Sequence, residues 1–401
     1  MKPTGIVLLI AGVIALIAAV LVPTVVVPNM VSSELRSTDS TTYGDITGQI
    51  LNTDRLLSAP NDPYEAITAK STRVTKADAA AMAEPAAQEA GATVFTTTNV
   101  VTRTDNNQEL IASAATYAFN EDNSELINCC GASVNGNSDV EFAGIMPLKF
   151  PFNVPQADLQ VFDPTLLAPV PTIYQGTEQA YGLELYKFSQ DIAVVQVPGE
   201  PYIKLPLNQA KLLVSVIAPN ISPAVDALPV DQEVGLYQFY TAKNTFLVEP
   251  VTGEIVDGTI NSTFTLRLNG GDTDIVKVLQ TEAKSANVEE NAETVKGQVE
   301  LLTTGTFLVP IMLGVLGLVL AIMGIVLIAI GRKRTKVVPA HAASEAKVGV
   351  AAGAASSDSA TQAESTGSDA STGNDSQASD ESQASDESPA SDDDTQPKSE
   401  K

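Results

Sequence analysis

Two long apolar runs, one near each end of the chain, constrain everything between them. Ile6 to Val27 is apolar apart from Pro23 and Thr24, and Phe307 to Ile330 carries no charge at all. As a helix, each is long enough to cross the roughly 30 Å of a bilayer's hydrocarbon. A signal peptide is the alternative for the first run. That run exceeds the usual apolar core of roughly 7 to 15 residues and no A-x-A site follows it, which favours an uncleaved anchor.

Gly331-Arg332-Lys333-Arg334-Thr335-Lys336 follows the second run directly. Such a cationic cluster marks the cytoplasmic side of a spanning helix. A two-pass plasma-membrane protein with both termini in the cytoplasm is therefore expected. The chain divides into an N-terminal transmembrane anchor (1–30), an extracytoplasmic domain (31–302), a C-terminal transmembrane helix (303–331), and a basic flank with a tail (332–401).

Charge excludes some functions. The chain has 23 Lys and Arg against 48 Asp and Glu, a net charge of −25, and the segment 31–302 alone has 35 acidic and 15 basic residues. Nucleic acid is not an expected partner, because phosphate-backbone affinity rests on Lys and Arg. The single histidine, His341, falls in a low-complexity tail, so Ser-His-Asp and Cys-His catalysis and His-ligated zinc lose their central residue. No cofactor is expected, and the chain does not read as an enzyme. The tail repeats a hexad at Ser376–Glu381, Ser382–Glu387 and Ser388–Asp393; this composition predicts a disordered acidic segment that acts as a spacer or as a docking or phosphorylation site.

The outer segment is long enough to bury its own core. Its texture predicts an α+β, β-dominated fold: a large antiparallel extracytoplasmic sheet with a few helices, flanked by the two transmembrane helices. Val94–Arg103 and Leu110–Phe119 read as a hairpin around Asp105-Asn106-Asn107. Ile173–Thr177, Leu183–Ser189 and Ala193–Val197 read as strands. So do Val234–Tyr240, Thr245–Glu249, Glu254–Asp257 and Phe264–Leu268, with breaks at Lys243-Asn244, Pro250–Gly253 and Gly258. A short or broken helix is expected within Lys76–Ala90, interrupted at Glu84-Pro85. Asp274 reads as the N-cap of a helix bearing Ile275, Val278, Leu279, Ala283 and Ala286, and Thr294–Leu302 as a helix running into the second span.

Several segments together resemble an actinobacterial family of two-span envelope proteins of unknown function, often labelled PorA-family porins. They are Asn128-Cys129-Cys130-Gly131, Leu148–Asn153, Phe162–Leu166, Tyr181–Phe188 and Leu247–Gly258. The long acidic tail, and Phe162 where a tryptophan is expected, depart from the family pattern. The resemblance implies a mycolate-type envelope and a part in handling lipids or lipoglycans there. Membrane lipids or glycolipids are then the expected partners, with envelope-assembly membrane proteins beside them. The oligomeric state is not legible.

Candidate sites are few. Cys129 and Cys130 would lie in an oxidising compartment, as a vicinal disulfide that switches, a structural bond, or two thiols. Ring closure between neighbours predicts a short Cα separation and a distorted or cis peptide. Phe150, Phe152 and Phe162 are candidates for the mouth of a lipid pocket, against core packing under a loop. Asn269–Asp274 has oxygen ligands suited to calcium but lacks an EF-hand's acidic alternation, so a glycine turn explains it better. Glu178 with Glu184 is a weak glycosidase pair. Three functions compete: a lipid cradle assisting envelope assembly, a porin or channel, and a scaffold recruiting partners through the tail.

Overall fold

The computed structural model describes residues 3–59, 62–219, 222–226, 228, 233–268 and 271–333; the acidic tail, His341 and the repeats lie outside them. The chain enters as α1 (Pro3–Leu21), a π turn (Val22–Val26) and α2 (Val27–Leu35), which run on as one rod. The outer domain follows with β1 (Asp39–Leu51), α3 (Thr53–Ser58), β2 (Tyr64–Ala77), α4 (Ala79–Ala83), α5 (Pro85–Ala90), β3 (Ala92–Arg103), β4 (Glu109–Asn120) and β5 (Ser133–Val134). Next come β6 (Leu159–Asp163), β7 (Ala168–Ala180), β8 (Leu183–Gln196), β9 (Ile203–Pro206), α6 (Leu207–Ile217) and α7 (Ser222–Asp226). Last are β10 (Glu233–Val248), β11 (Ile255–Leu268), β12 (Val276–Ser285), α8 (Val288–Thr303), a second π turn (Thr304–Leu308) and α9 (Val309–Lys333).

All twelve strands join one sheet in the order β5-β4-β3-β2-β1-β12-β11-β10-β8-β7-β6, with β9 added to β10. The β-dominated class read from the sequence is the one observed. Strands β1 and β12 are antiparallel neighbours, with Gly44 opposite Ser285. The two helical rods therefore leave the sheet side by side, and α1 packs along α9.

Three local readings are corrected. The segment after Asp274 is strand β12, held between β1 and β11, so sheet pairing overrides the helical spacing of its apolar residues. Asp274 caps no helix; its Oδ1 accepts from Thr265 Oγ1 at 2.8 Å and Arg267 Nε at 2.6 Å. Lys243-Asn244 and Gly258 are not turns but lie inside β10 and β11, which are 16 and 14 residues long. Within Lys76–Ala90 two short helices meet at Pro85, and Asp78 caps the first by accepting from Ala80 and Ala81 N–H.

The sheet curls into a half-barrel. Bulges in the β10/β8, β10/β11, β11/β12, β7/β8 and β3/β4 ladders add twist. Gly48 marks the closest approach: a Cβ there would stand 2.1 Å from the Gln280 carbonyl oxygen of β12. The two edges are stitched together through single bridges. Phe119 on β4 pairs with Leu126, Glu125 with Ile145, and Ile145 with Val161 on β6. Neither edge is left as a long open ladder at that level.

Because side chains alternate along a strand and direct partners share a face, Ile46, Ala69 and Val101 define an inner face. Apolar packing covers it in two places. Residues 121–167 fold over one part, burying Phe95, Tyr117, Phe119, Phe142, Met146 and Phe162. Helix α6 covers another with Ala210 and Val214 against Leu236 and Leu266. The opposite face is solvated and charged, with Asp45, Lys70, Lys243 and Lys284 exposed. At one end, α8 seats Ala292 and Val295 on Leu185 and Val256.

The rods Thr4–Leu35 and Val288–Ile330 have 32 and 43 residues. At 1.5 Å per residue these are about 48 and 64 Å long, beyond the roughly 30 Å of hydrocarbon. Their surplus length stands as a stalk: α8 carries Glu289, Glu290, Glu293, Lys296 and Glu300, too many charges for a bilayer. The chain is a two-pass membrane protein by these helices. The expected boundaries at 30/31 and 302/303 fall inside the continuous rods.

Candidate functional site

Between the two apolar covers, the inner face carries small and polar side chains beside a buried apolar patch of Ile46, Ala69 and Val101. Lateral rows of direct partners build it. Gly44, Ser71 and Val101 form one row, and Thr42, Arg73, Asn99 and Ser113 the next; Ser40, Thr75, Thr97 and Ala115 form a third, across β1, β2, β3 and β4. Several of these groups satisfy each other. Ser71 Oγ donates to Asn99 Oδ1 at 2.6 Å, the Thr75 and Thr97 hydroxyls bond at 3.2 Å, and Ser262 bonds Thr281 at 2.9 Å across β11 and β12.

On the far wall a buried polar chain runs between strands. Asn244 Nδ2 donates to Gln190 Oε1 at 2.9 Å, and Gln190 Nε2 to Thr172 Oγ1 at 2.8 Å. Asn244 Oδ1 is left without a partner although the residue is buried. Such an orphan acceptor on an inner wall suits a water or a solute hydroxyl. Its direct neighbour Ile260 is half-exposed, so this stretch of wall is open.

Charge at the two ends of the first wall is compensated differently. Arg103 ends the Ile46 and Ala69 row and binds two carboxylates, Glu65 at 2.6 Å and Asp105 at 2.5 Å. Hydrogen bonds to these carboxylates hold the Arg103 guanidinium above its ordinary range, and Arg103 holds both of them below theirs. Asp163, at the tip of the turn 163–166, accepts from Thr165 and Leu166 N–H at 2.7 and 3.0 Å. Burial nevertheless raises its carboxyl above the ordinary value. Burial likewise raises the phenols of Tyr117 and Tyr240, on β4 and β10, and each feels the Asp163 charge. The turn thus lies between opposite walls of the curl.

The residues singled out from the sequence fall in several places. Phe150 and Phe162 are 2% and 1% exposed and belong to different apolar clusters, while Phe152 packs at the margin of the second. The three rings do not share one mouth; each is part of a core. Phe150 N–H donates to Gly253 O at 2.9 Å and Lys149 Nζ to Glu254 Oε1 at 2.6 Å, so the segments Leu148–Asn153 and Leu247–Gly258 meet in space. Cys129 and Cys130 are disulfide-bonded with a Cα separation of 3.8 Å. That is the spacing of a trans peptide, not the shortened one expected, and Cys130 takes a left-handed φ of 61°. The pair packs near Val94, Ala118, Ala81 and Met82.

Glu178 pairs with Lys187 at 3.1 Å on the outer side of the sheet, whereas Glu184, which accepts from Gln179, alternates onto the other face with Tyr186 and Phe188, so the two carboxylates do not face each other. A hollow of about 80 Å³ lies on the outer side, lined by Glu178, Lys187, Thr245 and Asp257 among others. It is charged and far below the roughly 300–1,000 Å³ of ordinary ligand pockets. Asn269 and Gly270 of the calcium candidate lie outside the described residues. Among the described residues no group of three or more His, Cys, Asp or Glu could hold a metal ion.

The helix pair leaves no space between its members. A Cβ on Gly12 would stand 2.6 Å from Ala321 N and 2.7 Å from Gly317 O, and one on Gly324 2.6 Å from Leu9 N. Small residues here let the two backbones touch. The surfaces facing away are apolar, with Ile10, Ile14, Ile311 and Val315 exposed.

Compared with known protein families, the chain matches the family model described as Porin PorA over residues 4–326, a span that takes in the whole sheet, the first helix and most of the second. No curated protein matches it.

Proposed function

The chain belongs to the PorA porin family, and from that premise we propose that it works without catalysis, as a porin-type passage in which the curled sheet receives polar solutes. The observation that carries this reading is the inner face itself. Small and polar side chains line it where apolar packing is absent, as in the interior of a water-filled barrel. The charged outer face keeps the sheet in water, so the sheet is a vestibule at the membrane surface and not a barrel through the bilayer. The helix pair is an anchor whose backbones touch, and a route across the bilayer takes more than one chain. The cationic run Arg332 to Lys336 supports an orientation with both termini in the cytoplasm and the sheet outside.

Purified full-length protein in planar bilayers tests the reading. Discrete conductance steps are expected; folded protein that never conducts overturns it.

A second reading keeps the sheet but changes its cargo to a lipid or lipoglycan of the envelope. It is favoured by Ile111 and Ile260, half-exposed on the inner face beside polar groups, an amphipathic lining suited to a glycolipid. Mass spectrometry of lipid co-purifying with non-conducting protein is the result that would select it.

A further inference from the structure

Arg73 differs from the other arginines of the outer domain. Arg36 pairs with Glu121 at 2.7 Å, Arg103 with Glu65 and Asp105, Arg267 with Asp274 at 2.6 Å, and Arg55 donates to the Tyr64 carbonyl. Among the described residues no carboxylate, carbonyl or hydroxyl accepts from Arg73. A shortage of acids is not the reason, since acidic residues outnumber basic ones more than twofold in this segment.

Its position explains why no acid reaches it. Arg73 is directly opposite Thr42 on β1 and Asn99 on β3, and Asn99 is opposite Ser113 on β4. These four form one lateral row on the inner face, and the rows on either side supply only Ser71, Thr75, Thr97 and small or apolar residues. Ser71 occupies Asn99 Oδ1, which leaves the Asn99 amide nitrogen as a second unused donor. Tyr117, two rows on and 2% exposed, has a hydroxyl with no partner among the described residues. Its phenol feels the Arg73 charge, and Arg73 is partly buried, so both groups face the same stretch of the curl.

A guanidinium stays charged in a protein and is costly to surround without a counter-charge. Its planar fork of donors matches an oxyanion. We propose that Arg73, with Thr42, Asn99, Ser113 and Tyr117, forms a binding site on the inner face for a phosphate group, free or carried on a lipid head group. The site deepens the porin-type reading by naming its solute class, but binding is measured apart from transport.

The experiment uses full-length protein in detergent, titrated with inorganic phosphate at constant ionic strength set by chloride, and in a second arm with a short-chain phosphatidic acid below its micellar concentration. Thermal midpoint and ³¹P line width report binding. Wild type is expected to bind at least one probe, and Arg73→Gln to bind it at least tenfold more weakly, with Arg73→Lys between them. Melting in phosphate-free buffer shows that the variants are folded; losing an unpaired guanidinium should not unfold the sheet. Binding of phosphatidic acid alone assigns the site to a head group, and binding of both assigns it to phosphate itself. No binding of either probe, or equal binding by wild type and Arg73→Gln, overturns the proposal. If conductance persists in that case, the passage reading stands without the site; binding without conductance leaves the site and removes the passage.

Discussion

Burial pushes the Asp163 carboxyl above its ordinary value against the pull of two N–H groups, and this makes stability depend on pH in a definite direction. A group with a raised folded pKa holds more protons folded than unfolded. Its contribution is complete at low pH and is lost as pH rises through the raised value. Asp163→Asn keeps an oxygen to accept from Thr165 and Leu166 N–H and removes the titration. The urea midpoint of the variant relative to wild type is expected to climb as pH rises from the ordinary carboxylate range through the raised value; a constant difference contradicts the assignment. Residues of this kind are only partly legible in sequence. The Phe162-Asp163-Pro164 turn is visible, and so is the Cys129-Cys130 pair. Arg73 has no motif around it, and its signal is parity alone: it lies an even number of residues from the buried Ile67 and Ala69, which puts a cation on the inner side of its strand.

The elements that the sequence revealed best are those with a strong apolar pattern. The hairpin of β3 and β4 and both membrane helices are of this kind. Strands β1 and β2 leave no such pattern in the sequence, and the cause is physical: where the inner face is lined by Thr42, Gly44, Ser71 and Arg73, neither side of the strand is apolar and the alternation signal vanishes. The strands hardest to read are thus those that build the candidate site. The helix that was expected at 274–286 failed for a different reason, because two flanking strands supply a full ladder to a segment of modest helical preference. Among the helices, the contact at Gly12 and Gly317 is the element that positions the anchor. Gly12→Leu forces a side chain into the facing backbone, a misfit of about 1–3 kcal/mol by analogy with overpacked cores. It is expected to lower the thermal midpoint in detergent, whereas Ile10→Leu, at a position 54% exposed toward lipid, leaves it unchanged. Equal effects would mean that the helices do not pack through these glycines.

For the whole molecule, the topology joins the helical anchor to the curled sheet. The neighbouring strands β1 and β12 feed the two rods, so the curl is held above the bilayer by paired stalks at its centre, with its edges stitched through Leu126 and Ile145. A single parity decides the proposed path: odd-numbered residues of β2 around Ser71 lie on the inner face, and even-numbered ones on the outer face. The most direct measurement is conductance in planar bilayers before and after a charged methanethiosulfonate is attached to Ser71→Cys or to Thr72→Cys, the native cysteines being bonded to each other. Modification of Ser71→Cys is predicted to reduce conductance and modification of Thr72→Cys to leave it intact. Equal responses at the two neighbours, or no response at Ser71→Cys, would contradict the inner face as the path of the solute.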